Sequence, residues 1–228
     1  MSETHLPETE TVGQYLGLAE VRPDEEPPAA SSVVVEAFGH DVSVDGSAFT
    51  WGASVRNTHG EYAATFGLQV SVEGVDLVSG EFVSAFSGMT PPGGEARVGG
   101  SFYLGDDFPS DPVVDIAVVE LEWFASDGGT SPEALVSPLS ARLDEIDEGD
   151  DPNGEMRFSV TITNSAAHAI RPVLTAAFHR ADGTPVGAAT LYLIEPVPSG
   201  DSTRELEVWK KDVPDGADLS MTEFVTIW

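Results

Sequence analysis

Residues 156 to 165 read Met156-Arg157-Phe158-Ser159-Val160-Thr161-Ile162-Thr163-Asn164-Ser165. Met156, Phe158, Val160 and Ile162 fall on one face of an extended chain, with polar residues between them. That period of two marks a strand with one buried side. Pro152-Asn153-Gly154 supplies a turn before it. Downstream, Val173 to Arg180 reads as the next strand and Asp182-Gly183 as a hairpin turn. Val186 to Ile194, Thr203 to Trp209 and Leu219 to Trp228 read as further strands.

The pattern also runs upstream. Val33, Val35 and Ala37 alternate, then Val42 and Val44, with Asp45-Gly46 as a turn. Phe49, Trp51, Ala53 and Val55 share one face, followed by Phe66, Leu68, Val70 and Val72. Strands are expected again over Phe82 to Phe86, Ala96 to Leu104 and Val113 to Phe124. Turns fall at Glu73-Gly74, Pro91-Pro92-Gly93-Gly94 and Asp127-Gly128-Gly129. Helical periodicity is weak throughout; Pro132 to Leu143 has room for one short helix at most.

An internal repeat connects the two halves. An offset of 107 residues carries Asn57 onto Asn164 and Gly93 onto Gly200. It also carries Phe49, Trp51 and Val55 onto Met156, Phe158 and Ile162, and Arg97 and Phe102 onto Arg204 and Trp209. Glu120-Leu121-Glu122-Trp123 answers Val225-Thr226-Ile227-Trp228 with a two-residue slip. Asn57-Thr58 and Asn164-Ser165 suit strand ends, where Asn tolerates left-handed geometry and bonds its own backbone. The expected fold is all-β: two tandem immunoglobulin-like β-sandwiches with an extended acidic N-terminal tail. The boundaries read as tail 1–30, first sandwich 31–130, acidic linker 131–155 and second sandwich 156–228, which can take in a strand from 131–143.

The 228 residues carry 39 Asp and Glu against 10 Lys and Arg, for a net charge of -29. Such a chain repels a phosphate backbone and an anionic lipid surface, so no nucleic-acid partner is expected. No apolar stretch is long enough for a transmembrane helix. Cysteine is absent, which excludes disulfides, thiolate metal sites and cysteine nucleophiles. Only Lys210 and Lys211 are lysines. Few lysines, many carboxylates and 41% hydrophobic residues fit a protein that works in concentrated salt, where self-repulsion is screened.

The first 30 residues hold seven acidic residues and four prolines and read as an extended tail. They lack the basic and apolar regions of a signal peptide. Within them Val12, Tyr15, Leu16 and Leu18 are apolar and can dock, on the folded body or on a partner, as an added strand.

The second half resembles the FxLYD-type immunoglobulin-like domains of bacterial and archaeal surface proteins. The resemblance rests on Val160-Thr161-Ile162-Thr163-Asn164-Ser165, on Phe178-His179-Arg180-Ala181-Asp182-Gly183, on Val186-Gly187 and on the Pro198-Ser199-Gly200 turn. Phe178 and Asp182 hold the first and last positions of the name motif, with Arg180 and Ala181 where the family has Leu and Tyr. The first half carries Val55-Arg56-Asn57-Thr58 and the Pro92-Gly93-Gly94 turn without the Phe-to-Asp motif. The resemblance implies a non-catalytic display or adhesion module, an acidic surface protein of haloarchaeal type, with no active-site residues.

Searches for chemistry agree with that expectation. There is no Gly-x-Ser-x-Gly elbow, no phosphate-binding Gly-rich loop ending in Lys, and no His-Glu-x-x-His pair. His5, His40, His59, His168 and His179 show no metal spacing, and His59 and His168, each following the repeated Asn, read as exposed loop residues. Trp51, Trp123 and Trp209 sit at alternating strand positions and read as core residues, with Trp228 as the exception; a sugar-binding platform is the rival reading. One acidic concentration stands out: Asp144, Asp147, Asp150, Asp151 and Glu155 could offer oxygens to calcium, against a solvated linker. No other cofactor is implied.

The function expected is a non-enzymatic structural or protein-binding module of a halophile, with other protein subunits as partners. A calcium-binding adhesion module and a carbohydrate-active or hydrolytic domain are the alternatives. An extracellular or cell-surface place is favoured, as for a lipoprotein shortened at its lipidated cysteine; a chain complete as given would be cytoplasmic.

Overall fold

The computed structural model describes residues 18–20, 27–73, 75, 84–104, 108–126, 137–151 and 153–227. Among these residues thirteen strands fall into four antiparallel sheets. In the first half, β2 (Val33–Val42), β3 (Ala48–Asn57) and β6 (Glu95–Tyr103) form one sheet in the order β2-β3-β6. Its companion holds β1 (Leu18–Glu20), β7 (Val114–Ser126), β4 (Ala63–Val72) and β5 (Ser84–Phe86) in the order β1-β7-β4-β5. In the second half, β8 (Leu139–Asp147), β9 (Glu155–Asn164) and β12 (Gly200–Trp209) form one sheet. The other is made of β10 (Val173–His179), β11 (Pro185–Tyr192) and β13 (Glu223–Ile227), in the order β11-β10-β13. Leaving β1 aside, each half thus places its first, second and fifth strands in one sheet and its third, fourth and sixth in the other, a two-sheet sandwich.

Each sandwich has its own core. Phe49, Trp51, Val55, Phe66, Leu68 and Val70 fill the first, and Phe158, Val160, Ile162, Leu174, Phe178 and Leu206 the second. These are the inward residues of the alternating runs, and their burial is the main force holding each pair of sheets.

Several boundaries differ from the sequence expectation. β8 at 139–147, the first strand of the second sandwich and paired along β9, begins inside the 131–143 stretch from which such a strand was expected and runs on into the expected linker. No helix forms over 139–143, because alternating Leu139, Ala141 and Leu143 turn one face to the second core. What remains of the linker's acidic end is the β8–β9 turn. The turns expected at Gly74 and over 127–129 lie outside the described residues, as do 132–136.

The repeated asparagines do more than end strands. Among the described residues Glu120 alone, glycine aside, has a positive φ, so neither Asn57 nor Asn164 is left-handed. Both are buried instead. Asn57 Nδ2 donates to the carbonyls of Tyr62 (2.8 Å), Thr90 (3.2 Å) and Pro91 (3.2 Å), and its Oδ1 accepts from the His59 amide. Asn164 Nδ2 donates to His168 O (2.9 Å) and Val197 O (3.0 Å), and its Oδ1 accepts from the Ala166 amide. The next residue completes the clamp: Thr58 Oγ1 donates to Ser32 O, and Ser165 Oγ to Pro138 O. One side chain thus ties three chain segments at the same corner of each sandwich.

The repeat slips by one residue in the fifth strand. Phe49 faces Phe102 across the β3–β6 pair, while Met156 faces Val208 across β9–β12. Phe102 therefore corresponds to Val208, Tyr103 to Trp209 and Arg97 to Thr203. Because side chains alternate, that slip moves Trp209 out of the core position expected of it.

Candidate functional site

The two sandwiches meet along a seam of small residues. Gly39, Gly52 and Gly99 are cross-strand neighbours on β2, β3 and β6. A Cβ on Gly39 would come within 2.5 Å of Pro185 O, one on Gly52 within 2.7 Å of Gly187 N, and one on Gly99 within 2.9 Å of the Ala188 Cβ. β11 therefore crosses the three strands in turn, backbone against backbone. This explains β3, where every residue but Arg56 is buried: Phe49, Trp51, Ala53 and Val55 face the core, while Thr50, Gly52 and Ser54 lie under the second sandwich.

Polar contacts fix the seam at its rim. Val44 N donates to Val213 O and Asp215 N to Val42 O, both at 2.8 Å. Arg180 Nη2 donates to His40 O and Asp41 Oδ2, each at 2.8 Å, and Arg97 Nε reaches Glu223 at 2.9 Å. Ser101 donates to Asp212. The His40 ring stacks on Phe49, 5.1 Å between centroids. Burial, with the nearby Arg180 charge, holds its pKa below the ordinary histidine range against the pull of Asp41 and Asp111.

Beside this seam lies a groove of about 840 Å³, walled by β6 at Gly99 to Ser101, by β11 and the residues after it, and by β12. The later part of β11 runs past the first sandwich. Leu191 and Leu193 pack on the second core, while Tyr192 and Ile194 are 76% and 87% exposed. From β12 comes Trp209, 51% exposed. Both β11 and β12 are outer strands of their sheets, each hydrogen-bonded on one side only. Arg204 lies on the same side of β12 as Leu206 and Val208, partly buried at the mouth of the sandwich. Its Nε is buried without a hydrogen-bond partner among the described residues, and Nη1 has a long contact of 3.4 Å with Thr203 O.

The five carboxylates considered for calcium are not brought together. Asp144 accepts from Thr161 Oγ1 at 2.5 Å and from Arg142, and those bonds, Thr161's foremost, lower its pKa. Asp147 accepts the Gly149 amide and Asp151 the Asn153 amide; Asp150 is exposed, and Glu155 opens β9 opposite Trp209. Among the described residues no three His, Asp or Glu side chains group closely enough for a metal ion. The β8–β9 turn instead receives the Lys210 ammonium, which donates to Gly149 O (3.0 Å) and Asp151 O (2.7 Å) and is buried.

Of the tail residues, Leu18 is placed in β1, paired with Ser126 at the edge of β7. Val12, Tyr15 and Leu16 lie outside the described residues, as does Trp228. Trp51 and Trp123 are core residues, whereas Trp209 is not. His168 is exposed; His59 is half-buried, its ring edge-on to Tyr62 and Trp123 and its Nδ1 accepting the Glu61 and Tyr62 amides. Sequence reasoning missed the groove. Its one advance signal was Tyr192 and Ile194 sharing a phase of their strand.

No family model matches the chain, and no curated protein does. A solved structure of a Bacteroides fragilis protein, provisionally assigned as a beta-galactosidase, aligns over 73% of this chain at 11% identity and a TM-score of 0.19. The alignment spans 28% of that protein's length. A likeness of that size carries no inference about fold or activity.

Proposed function

We propose that this chain is a non-enzymatic structural and protein-binding module, working in concentrated salt as a surface-associated part of a larger assembly. One observation carries the reading: the glycine seam joins two complete sandwiches into one body, with an apolar-lined groove beside the joint. A flexible tether needs no such seam, since a joint between independent domains keeps them apart with polar linker residues. Here Gly39, Gly52 and Gly99 make close packing possible, and backbone bonds such as Val44 to Val213 fix the angle. Fixed geometry suits a part that spaces or presents a surface. The net charge of -29 suits a solution in which that charge is screened.

The test is small-angle scattering and calorimetry from millimolar to multimolar KCl. The expected result is one compact particle that unfolds in a single cooperative transition at high salt and loosens as salt is withdrawn. Two independent transitions at high salt, with scattering from jointed domains, would overturn the structural half of the proposal. Turnover of aryl glycosides or esters at high salt, abolished by one carboxylate substitution, would overturn the non-enzymatic half.

A further inference from the structure

We infer that the groove between β6, β11 and β12 takes one extended segment of a partner protein, paired along the free edge of β11, with a carboxylate of that segment on Arg204. This deepens the protein-binding half of the function proposed above and rests on it.

Three features point to an extended peptide. The first is the unpaired edge. β11 and β12 each offer unpaired backbone donors and acceptors beside the recess, the template for strand addition. β12 is blunted by the exposed Glu205 and Glu207 and by the inward Arg204, but the end of β11 from Thr190 to Tyr192, with Leu193 and Ile194 after it, has no charged residue. The second is apolar surface. Tyr192, Ile194 and Trp209 stand exposed around the same recess, a cluster that water-facing strand residues of so acidic a chain do not require. The third is confinement. β6 forms the third wall, so a second sandwich approaching β11 would meet Gly100 and Ser101, whereas a single extended chain need not.

The charge follows from Arg204. Arg56, Arg97, Arg142, Arg157, Arg180 and Lys211 each pair with a carboxylate. Lys210 is held by carbonyls, and Arg171 is exposed. Arg204 is partly buried and has no carboxylate among the described residues, although acids outnumber bases 39 to 10. Four carboxylates line the groove with Arg204, and none pairs with it: Glu207 faces Arg157 on the outer side of the sheet, Asp212 accepts from Ser101, Glu205 is exposed on the outer side of β12, and Glu195 stands exposed beyond β11. A guanidinium in this position lacks an acceptor, and an incoming Asp or Glu supplies one in forked geometry. Partly buried, that pair persists in salt that screens surface charge.

The test is selection of a random dodecapeptide display library on the full chain in molar KCl, with Ile194→Glu protein as counter-selection. Affinities of recovered peptides are then read by Trp fluorescence on wild type, Arg204→Met, Arg204→Lys and Tyr192→Ser. The expected peptides alternate apolar residues around an Asp or Glu and bind Arg204→Met about tenfold or more weakly. Arg204→Lys, which keeps the charge but loses the fork, falls between. Melting temperatures matched to wild type show that the loss is not unfolding; if Arg204→Met melts early, Arg204→Lys and Tyr192→Ser decide. No enrichment over the counter-selected protein overturns the inference, as do peptides lacking an acid that bind Arg204→Met equally. A dimer lost in Ile194→Glu would make the occupant a second copy, and Trp209-dependent glycan binding without peptide binding would make it a sugar; either also overturns it. In all four cases a single cooperative, compact particle would leave the structural reading standing.

Discussion

Gly52 of the first sandwich lies against Gly187 of the second so closely that a Cβ on Gly52 would stand 2.7 Å from the Gly187 amide nitrogen and 3.1 Å from its carbonyl oxygen. Backbone cannot withdraw from such a contact as a flexible side chain can. Gly52→Val is therefore expected to pry the seam apart while both cores stay intact. The cost should be about 1–3 kcal/mol, as for an overpacked interior, with one calorimetric transition splitting into two. Gly60→Ala, in open space, should stay within about 0.5 kcal/mol of wild type.

Asn57→Ala removes the donor shared by three carbonyls and the acceptor for the His59 amide. Leaving such buried groups unpaired should cost about 2 kcal/mol or more, measured by urea unfolding at fixed molar KCl. Asn164→Ala should cost a similar amount. The two sit in separate cores, so the double variant should equal the sum within about 0.5 kcal/mol.

These clamps show what could be read in advance. Alternation in Phe49 to Val55 and Met156 to Ile162 is local, so strand phase and inward face were legible. The Asn57–Asn164 equivalence was legible too, but its purpose was not, because beside the local carbonyls of Tyr62 and His168 each side chain binds one from 33 positions away, Thr90 and Val197. The one-residue slip before β12 was hidden in an irregular connection, and it misplaced Trp209. The glycine seam was the least visible feature. Gly39, Gly52 and Gly99 become neighbours only through strand register, which no local pattern encodes.

His40, whose ring stacks on Phe49 of the first core, gives the first sandwich a pH dependence. Its folded pKa lies below its ordinary value near 6.5, so the unfolded chain binds the proton more readily. Stability from this site is present above about pH 6.5 and is lost as pH falls towards the lower folded pKa. Melting temperature at high salt should therefore decline from neutral pH to mildly acid pH. His40→Phe should flatten that slope; an unchanged slope would place its origin elsewhere.

Glu120 holds φ 51° at a bulge where β7 carries one extra residue, Glu120 and Leu121 standing opposite Phe66 alone, between the partners of Thr65 and Gly67 on β4. A left-handed conformation is costly for a residue with a Cβ and nearly free for glycine. Glu120 is exposed, so Glu120→Gly gives up little packing and is expected to stabilise the first sandwich by up to about 1 kcal/mol in chemical denaturation.

Lys210→Met should have the opposite effect in the second sandwich. The variant leaves Gly149 O and Asp151 O without the ammonium that joins them, and the expected loss is about 1–3 kcal/mol. Amide hydrogen exchange in the β8–β9 turn should accelerate, while the first sandwich is unaffected.

The Lys210 arrangement also sets how this turn responds to its surroundings. An ion drawn from solution occupies a loop only as far as its concentration allows, and dilution or a competing chelator empties the loop. An ammonium carried just past the end of β12 is present in every molecule at the same local abundance. This acidic turn thus has a cation of its own, inherited with the sequence rather than borrowed from the medium.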